Sequence, residues 1–276
     1  MPVSLVTIDP SITAADASQP RVPVDLFNQA LCAFDGDGIV NNVLWAGGIS
    51  GTSPIEGVSG QLCKAPFTTP TNLPLISAND ANMPAVLPPN LPLASPTFNM
   101  PVSSGRGVRM PLANFTSSWS MAFITYWDGV TNIGGIWAAA ASDANVQKAV
   151  VWGAPGGLRM GQTYTPHLFE DTRPWKVGPN LVLICFDPVK RQFASYVNSQ
   201  RGLESLVDVG ANPAPAVAAG DRWYMGMAPS GSPASPGFRG PSWATFADSL
   251  HHNPKLASRR RALIQAAADT YGITLG

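Results

Sequence analysis

Large apolar positions alternate with small or polar ones most clearly in the run WSMAFITYW, residues 119–127. In an extended chain Trp119, Met121, Phe123, Thr125 and Trp127 point one way, and Ser120, Ala122, Ile124 and Tyr126 point the other. Both sets are largely apolar, which predicts a central strand covered on each face. Shorter runs of the same kind predict strands at Ile136–Ala140, Ala149–Trp152, Leu181–Phe186, Phe193–Val197 and Trp223–Ala228, with turn-rich GAPGG and MAPSGSPASPG between them. No helical run of ten or more residues separates these strands, so the pattern fits a sandwich or barrel rather than βαβ units.

The period changes at both ends. Residues 1–22 read as an extended arm bounded by Pro20 and Pro23. From Val24 to Phe34, Leu26, Ala30, Leu31 and Phe34 recur at helical spacing and predict a short helix or turn. Two glycine-punctuated segments follow, GIVNNVLWAGG and GVSGQLCKAPF, whose short apolar groups fit strands. Residues 68–100 hold seven prolines, each of which removes a ladder donor, and predict a long irregular segment over the fold. Near the end, Asn253 is placed to cap a helix with Pro254 in its first turn. Leu256, Leu263, Ile264, Ala267 and Tyr271 form its apolar side, and Gly272 supplies the stop. The helix 254–271 is therefore expected to cover a sheet edge as a fixed lid. Arg259, Arg260 and Arg261 spread over about 200° of its circumference, too wide for a nucleic-acid-binding stripe, and Arg260 is expected to matter little for stability.

Composition narrows the class. Charged residues make up 12% of the 276, about half of ordinary usage, and the formal net charge is zero, so nothing draws in a nucleic acid. Only Arg21 and Lys64 stand against seven acids in residues 1–100, a charge asymmetry that could guide packing of one copy against another. The opening MPVSLVTIDPSITAADASQP has neither a basic region nor an unbroken apolar stretch, and predicts no signal peptide or membrane anchor. Synthesis in a cytoplasm follows as the expectation. The odd cysteine count (Cys32, Cys63, Cys185) argues against a disulfide scaffold, and Cys185, inside LVLICF, is expected to be a buried thiol.

The order of elements resembles the concanavalin-A-like superfamily, in particular laminin-G-like jelly rolls. The resemblance is carried by a proline-rich approach to GRGVRMPL, the strand WSMAFITYW, the hairpin NLVLICFDPVKRQFASYVNSQ, and WYMGMAPSGSPASPGFRGPSWATFADSL before a helix. It implies an all-β, two-sheet antiparallel jelly-roll sandwich over residues 23–276, with the arm 1–22 in front and the helix 254–271 included. A low-charge, proline-rich, armed domain of this kind is also similar in composition to bacteriophage virion proteins.

Chemical motifs are sparse. The only glutamates are Glu56, Glu170 and Glu204, none in the close carboxylate pair of a retaining glycosidase. Asp35 and Asp37 in FDGDGIVNN could give two oxygens to calcium, but the later ligands of a calcium loop are missing and a glycine-supported turn is the plainer account. His167, His251 and His252 have no ligand-like spacing to cysteine, and no G-x-S-x-G is present. Neither an enzyme nor a cofactor is expected. Trp119, Trp127 and Trp223 lie within predicted strands and read as core, whereas Trp175 and Trp243 sit beside proline in loop-like sequence and are the candidates for an exposed carbohydrate or subunit contact.

Two functions follow as expectations. The first is a structural virion component, a capsid decoration or fibre-associated protein that self-associates, binds other virion proteins, and engages neither nucleic acid nor membrane. The alternative is a lectin-like, carbohydrate-binding module with a glycan as partner.

Overall fold

The computed structural model describes residues 26–35, 39–45, 61–63, 73–75, 85–87, 97–100, 108–111, 118–129, 137–140, 147–154, 157–161, 169–206, 222–225 and 238–276. The expected arm, residues 1–22, lies outside them, as does Asp37. The architecture is all-β with several antiparallel sheets. One six-stranded sheet runs in the order β1 (Val40–Trp45), β17 (Ser242–Phe246), β7 (Trp119–Trp127), β12 (Gly178–Asp187), β13 (Gln192–Val197) and β14 (Leu203–Leu206). A second runs β11 (Phe169–Asp171), β10 (Gly157–Gly161), β9 (Gln147–Ala154), β8 (Trp137–Ala140), β15 (Arg222–Met225) and β6 (Val108–Pro111). β16 (Phe238–Gly240), β5 (Thr97–Met100) and β4 (Ala85–Leu87) form a smaller sheet, and β2 (Gln61–Cys63) pairs with β3 (Leu73–Leu75).

The proline-rich stretch is less irregular than its composition suggests, because β3, β4 and β5 form inside it. Only Pro74 among its prolines enters a strand, and that strand belongs to a two-stranded ribbon. Pro111 likewise sits on the edge strand β6, where a missing donor costs least.

β7 is central, as its alternation predicts. It pairs with β12 from Trp119 opposite Phe186 to Trp127 opposite Gly178, and with β17 from Phe246 opposite Ser120 to Ser242 opposite Ile124. One face of this sheet holds Trp119, Met121, Phe123, Val182, Ile184, Phe186 and Phe193, all buried. Rings interlock there, with Phe186 and Phe193 centroids 4.5 Å apart and Phe123 and Phe238 6.4 Å apart. The expected grouping of Phe123, Ile184 and Phe186 in one core is met; the side chain of the fourth expected member, Met225, lies outside the described residues.

The opposite face carries Ala122, Ala194, Ala244 and Cys185 beside Leu181, Leu183 and Phe246. Small residues in the middle of the sheet let helices approach closely. Two do so: α1 (Leu26–Asp35) and α2 (Ala257–Tyr271). The inward stripe of α1 is Phe27, Leu31 and Phe34 at i, i+4 and i+7, while Leu26 is 49% exposed, so the inward set begins one residue later than expected. α2 buries Leu263, Ile264, Ala267 and Ala268 against the same core. The helix thus covers a sheet face, beside α1, rather than a sheet edge. The pair is joined by Phe27 against Tyr271 at 6.1 Å and by the Phe27 amide donating to Thr270 Oγ1 at 3.2 Å.

Local signals fix the ends of α2. Asn253 accepts from the Lys255 amide, and Pro254–Leu256 form a single 3-10 turn leading into the helix. Gly272 closes it at φ 67°, a left-handed conformation that favours glycine. Beyond it Ile273 is buried, the Gly276 amide donates to Asn198 O, and Ser199 Oγ donates to Gly276 O. Asn198, at φ 47°, and Asn180 are both buried and brace each other, with Asn198 Nδ2 donating to Asn180 Oδ1 at 2.7 Å.

A buried ion pair ties β11 to β13. Asp171 is fully buried and accepts from Arg173 and from Ser195 Oγ, while Arg173 also donates to the carbonyls of Ser195 and Arg201. Burial works to raise the Asp171 carboxyl, but hydrogen bonds from Arg173 and Ser195 outweigh it and hold the group below its ordinary value.

Because Leu263 is completely buried between α2 and the sheet, Leu263→Asp removes its apolar contacts and places a charge there. The expected loss is about 3–5 kcal/mol, read from urea unfolding. A midpoint unchanged from that of the parent would mean that α2 does not close this core.

Candidate functional site

Two places bring chemically useful side chains together. The first is the end of β7. β17 stops opposite Ile124, so Tyr126 and Trp127 run past their neighbour on that side. On the other side they face Pro179 and Gly178, and Gly178 has no side chain to cover the indole. Both aromatic side chains are consequently partly exposed, next to exposed Asp128 and Gly129 and to Val177, which is 68% exposed.

β16 completes this end. Gly240 passes so close to β7 that an added Cβ would lie 1.9 Å from Ile124 O, which only glycine permits. Thr125 Oγ1 donates to the carbonyl of Arg239 at 3.2 Å. This close crossing sets the Arg239 guanidinium 5.2 Å from the centre of the Tyr126 ring, a cation–π arrangement. Among the described residues, no carboxylate pairs with Arg239, and its enclosed Nε donates to no acceptor. The tip thus carries the Trp127 indole on one face of the sheet and, on the other, the Tyr126 ring with Arg239 over it.

The second place lies where Leu250–Asn253 and α2 meet β13 and β14. The Tyr196 hydroxyl is 2.5 Å from His251 Nδ1, and His251 Nε2 is 2.7 Å from Glu204 Oε1. Arg260 stacks over the Tyr196 ring at 4.9 Å and donates to the carbonyls of Leu250 and His251. Burial pushes the Tyr196 hydroxyl well above the ordinary tyrosine range, so it keeps its proton. The Glu204 carboxylate oxygen faces His251 Nε2 as an acceptor. The imidazole must then carry its proton on Nε2 and accept the tyrosine proton at Nδ1.

A carboxylate, an imidazole and a hydroxyl in sequence are the parts of an activated nucleophile. Here the tyrosine is 1% exposed and its ring is pressed against Gly202, where an added Cβ would lie 2.8 Å from Cζ. No substrate reaches that oxygen in this arrangement; the chain of bonds clamps α2 and Leu250–Asn253 onto the sheet. The same region holds Ser249 Oγ 2.7 Å from His252 Nδ1, again with a buried serine. Cys185 lies beneath, its thiol pushed up to about 11 by burial, which leaves it protonated and unreactive.

The expected site residues fall elsewhere. Trp175 is 4% exposed and Trp243 0%, so neither offers an exposed platform. Trp243 belongs to β17 and shares the inward face with its partner Phe123. The Gly240-Pro241 pair before it reads as a turn, and concealed a strand only five residues long. Trp175 lies in the extended segment between β11 and β12, where the neighbouring Lys176 amide and carbonyl are held by Asn180. Trp127, expected to be core, is instead partly exposed, and the signal that could have shown this is the Asp128-Gly129 turn directly after it. Asp35 ends α1 with its side chain outside the described residues, and among the described residues no group of three His, Cys, Asp or Glu side chains could hold a metal ion. Also among the described residues, no helix is long and apolar enough to cross a membrane.

No family model matches the chain, and no curated protein does. Among solved structures it is similar to Trypanosoma rangeli sialidase in complex with 2-keto-3-deoxy-D-glycero-D-galacto-2,3-difluoro-nononic acid, with a TM-score of 0.50 and 15% identity over 81% of this chain and 34% of the sialidase. It is also similar to the binding domain of botulinum neurotoxin DC in complex with SialylT, with a TM-score of 0.49 and 12% identity over 78% of this chain and 52% of that one. A third likeness is to domain 4 of AbnA, a GH43 extracellular arabinanase from Geobacillus stearothermophilus, in complex with arabinotriose, with a TM-score of 0.45 and 14% identity over 67% of this chain and 84% of that one. At such identities the likeness concerns the fold, and the chain spans about a third of the length of the sialidase.

These findings correct the expectations drawn from resemblance. The fold is similar to that of a sialidase, in place of the laminin-G-like and bacteriophage proteins expected. The virion role, the virion partners and the virion location are withdrawn with that resemblance. Low charge and frequent proline, which had suggested them, describe solubility and loop content and do not distinguish one function from another.

Two outcomes follow from the Tyr196 clamp. Burial, against the pull of Glu204, lowers the His251 pKa, and burial followed by the charge of His251 lowers that of His252 to about 4. The unfolded chain takes up protons at both imidazoles from about pH 6.5 downward while the folded one does not, so stability falls as pH drops through that range. Thermal midpoints should decline from pH 7 to pH 5, less steeply in His252→Gln; parallel profiles would contradict this. Arg260→Ala, expected from sequence to be mild, should instead cost about 1–3 kcal/mol in urea unfolding, because it removes a stacked cation and charge-assisted bonds to two carbonyls.

Proposed function

We propose that this chain is a non-enzymatic, carbohydrate-binding module built as a two-sheet jelly-roll sandwich. The observation that carries this reading is the partly exposed Trp127 at the end of β7, on the face of the sheet opposite Tyr126, in a sheet whose large aromatic side chains other than these two are buried among the described residues. An aromatic ring in water presents a flat apolar surface, and the C–H face of a pyranose or furanose ring is complementary to it.

The fold likeness to a sialidase that binds a nine-carbon sugar acid supports the class of ligand, although fold alone does not select it. The sandwich arrangement is supported by Phe169 of β11 meeting Phe193 of β13 at 6.0 Å, and by the Asp171–Arg173–Ser195 clamp between the same strands. The absence of catalysis is supported by the burial of Tyr196 and Ser249, the hydroxyls that stand beside histidines.

A glycan array probed with the whole chain, with and without calcium, should return one chemically related group of glycans. Calorimetry with a member of that group should show Trp127→Ala weakening binding at least about tenfold, or about 1.4 kcal/mol. Incubation with the same glycan should release no shorter product. A blank array, or turnover of the bound glycan, would overturn the proposal.

A further inference from the structure

We infer that Leu250–Asn253 and α2 form an acid-operated latch, which closes over Cys185 while His251 and His252 are neutral and opens, with the sheet intact, when they take up protons. Such a device is independent of what the chain binds. The segment joins β17 to α2 and is held at identifiable points. The Leu250 amide donates to Ser120 Oγ at 2.8 Å, Asn253 Nδ2 donates to Asp248 Oδ2 at 2.6 Å, and Arg260 of α2 donates to the carbonyls of Leu250 and His251. Beneath it the Cys185 thiol is completely buried against the backbone of these same two residues. Lifting the segment withdraws the acceptors of Arg260 and uncovers that thiol.

Each imidazole has a place for one ring proton and not for two. His252 Nδ1 lies 2.7 Å from Ser249 Oγ, whereas its Nε2 is enclosed with no hydrogen-bond partner among the described residues. A neutral ring donates from Nδ1 to Ser249; the cation adds an N–H at Nε2 that meets no acceptor. In His251, Nε2 already faces Glu204, so a second proton must go to Nδ1, where the Tyr196 hydroxyl donates. That hydroxyl would have to turn away while its ring is held between Gly202 and Arg260. The two imidazoles are 4.6 Å apart between centres, so charges on both repel. Among the surrounding groups, Glu204 on β14 and Asp187 on β12 favour the imidazolium forms, whereas Arg260 on α2 and Lys190 in the β12–β13 turn oppose them. Asp248 is engaged by Asn253 and by the Ser249 amide. Glu204 is half-exposed, and water screens its pull. Burial, joined at His252 by the charge of His251, outweighs the acids and holds both imidazoles down, His252 at about 4. In the open latch the rings meet water and titrate at about 6.5, so the closed form loses ground as pH falls through that value. From pH 7 to pH 5, His252 alone shifts the balance toward opening by about twentyfold.

Labelling of the whole chain with 4,4′-dithiodipyridine, a disulfide that reacts with thiols in mild acid, reads the opening at Cys185, and peptide masses separate that site from Cys32 and Cys63. Dividing each rate by that of the urea-unfolded chain at the same pH removes the titration of the thiol itself. The relative rate should rise at least about twentyfold from pH 7 to pH 5, and His252→Gln should cut that rise about tenfold. Amide exchange in the parent, referred to the unfolded chain in the same way, locates the opening: α2 should lose protection at pH 5 while β7 and β12 keep theirs. A Cys185 rate equal at the two pH values, or a rise undiminished in His252→Gln, overturns the latch. So does loss of protection in β7 and β12 together with α2, since the chain then unfolds as a whole. Should His252→Gln fail to fold, the labelling and exchange of the parent decide between these outcomes.

Discussion

Everything in this molecule depends on covering both faces of one six-stranded sheet. β7 and β12 lie at its middle, and neither has a face that tolerates water: Phe123, Ile184 and Phe186 fill one side, Ile124, Leu181 and Leu183 the other. A sheet with a single apolar face can be satisfied by one packed layer. This one needs aromatic residues on strands outside it, such as Phe169 and Phe238, on the first side and two helices on the second. The alanines at 122, 194 and 244 are the counterpart of that demand, since bulky residues there would lift α1 and α2 off the sheet.

Helices laid over apolar surface still carry polar ends, and these are anchored individually. Asn253 caps the start of the α2 segment, Gly272 ends it, and Arg260 turns inward to the carbonyls of Leu250 and His251. Arg260 also covers Tyr196, whose hydroxyl is spent on His251. A polar network beneath a helix is stable only when each member is paired, because a lone buried donor costs more than a formed bond returns. The resemblance of Glu204, His251 and Tyr196 to a catalytic relay is explained by that requirement. Their geometry serves closure of α2 and Leu250–Asn253 on the sheet.

The parts of the fold that could be read from sequence are those governed by local rules. The alternation in WSMAFITYW identified β7, and Asn253, Pro254 and Gly272 bounded the terminal helix, because strand period and helix caps depend on near neighbours in the chain. What could not be read depends on partners distant in sequence. Phe27 rather than Leu26 faces inward because the helix must meet Tyr271 and the sheet, and nothing within ten residues of it records that. Trp243 is buried because a five-residue strand slots beside β7, although Gly240 and Pro241 announce a turn. Trp127 is partly exposed for the converse reason, its own neighbour being too short to cover it.

The same asymmetry explains where a ligand site could arise at all. Strand ends, like edge strands such as β14, are places where a doubly covered sheet exposes side chains whose backbone is still held by pairing on one side. At the end of β7, β12 continues the ladder to Gly178 while β17 has already stopped, so Tyr126 and Trp127 are held in backbone and partly exposed in side chain. Arg239 arrives there because β16 crosses immediately before Pro241 leads into β17, and Gly240 lets that crossing come within contact of Ile124. A binding surface of this kind needs no cavity carved into the core and no loss of buried apolar area. It follows from a mismatch in strand length, β17 pairing only as far as Ile124 while β12 continues to Trp127.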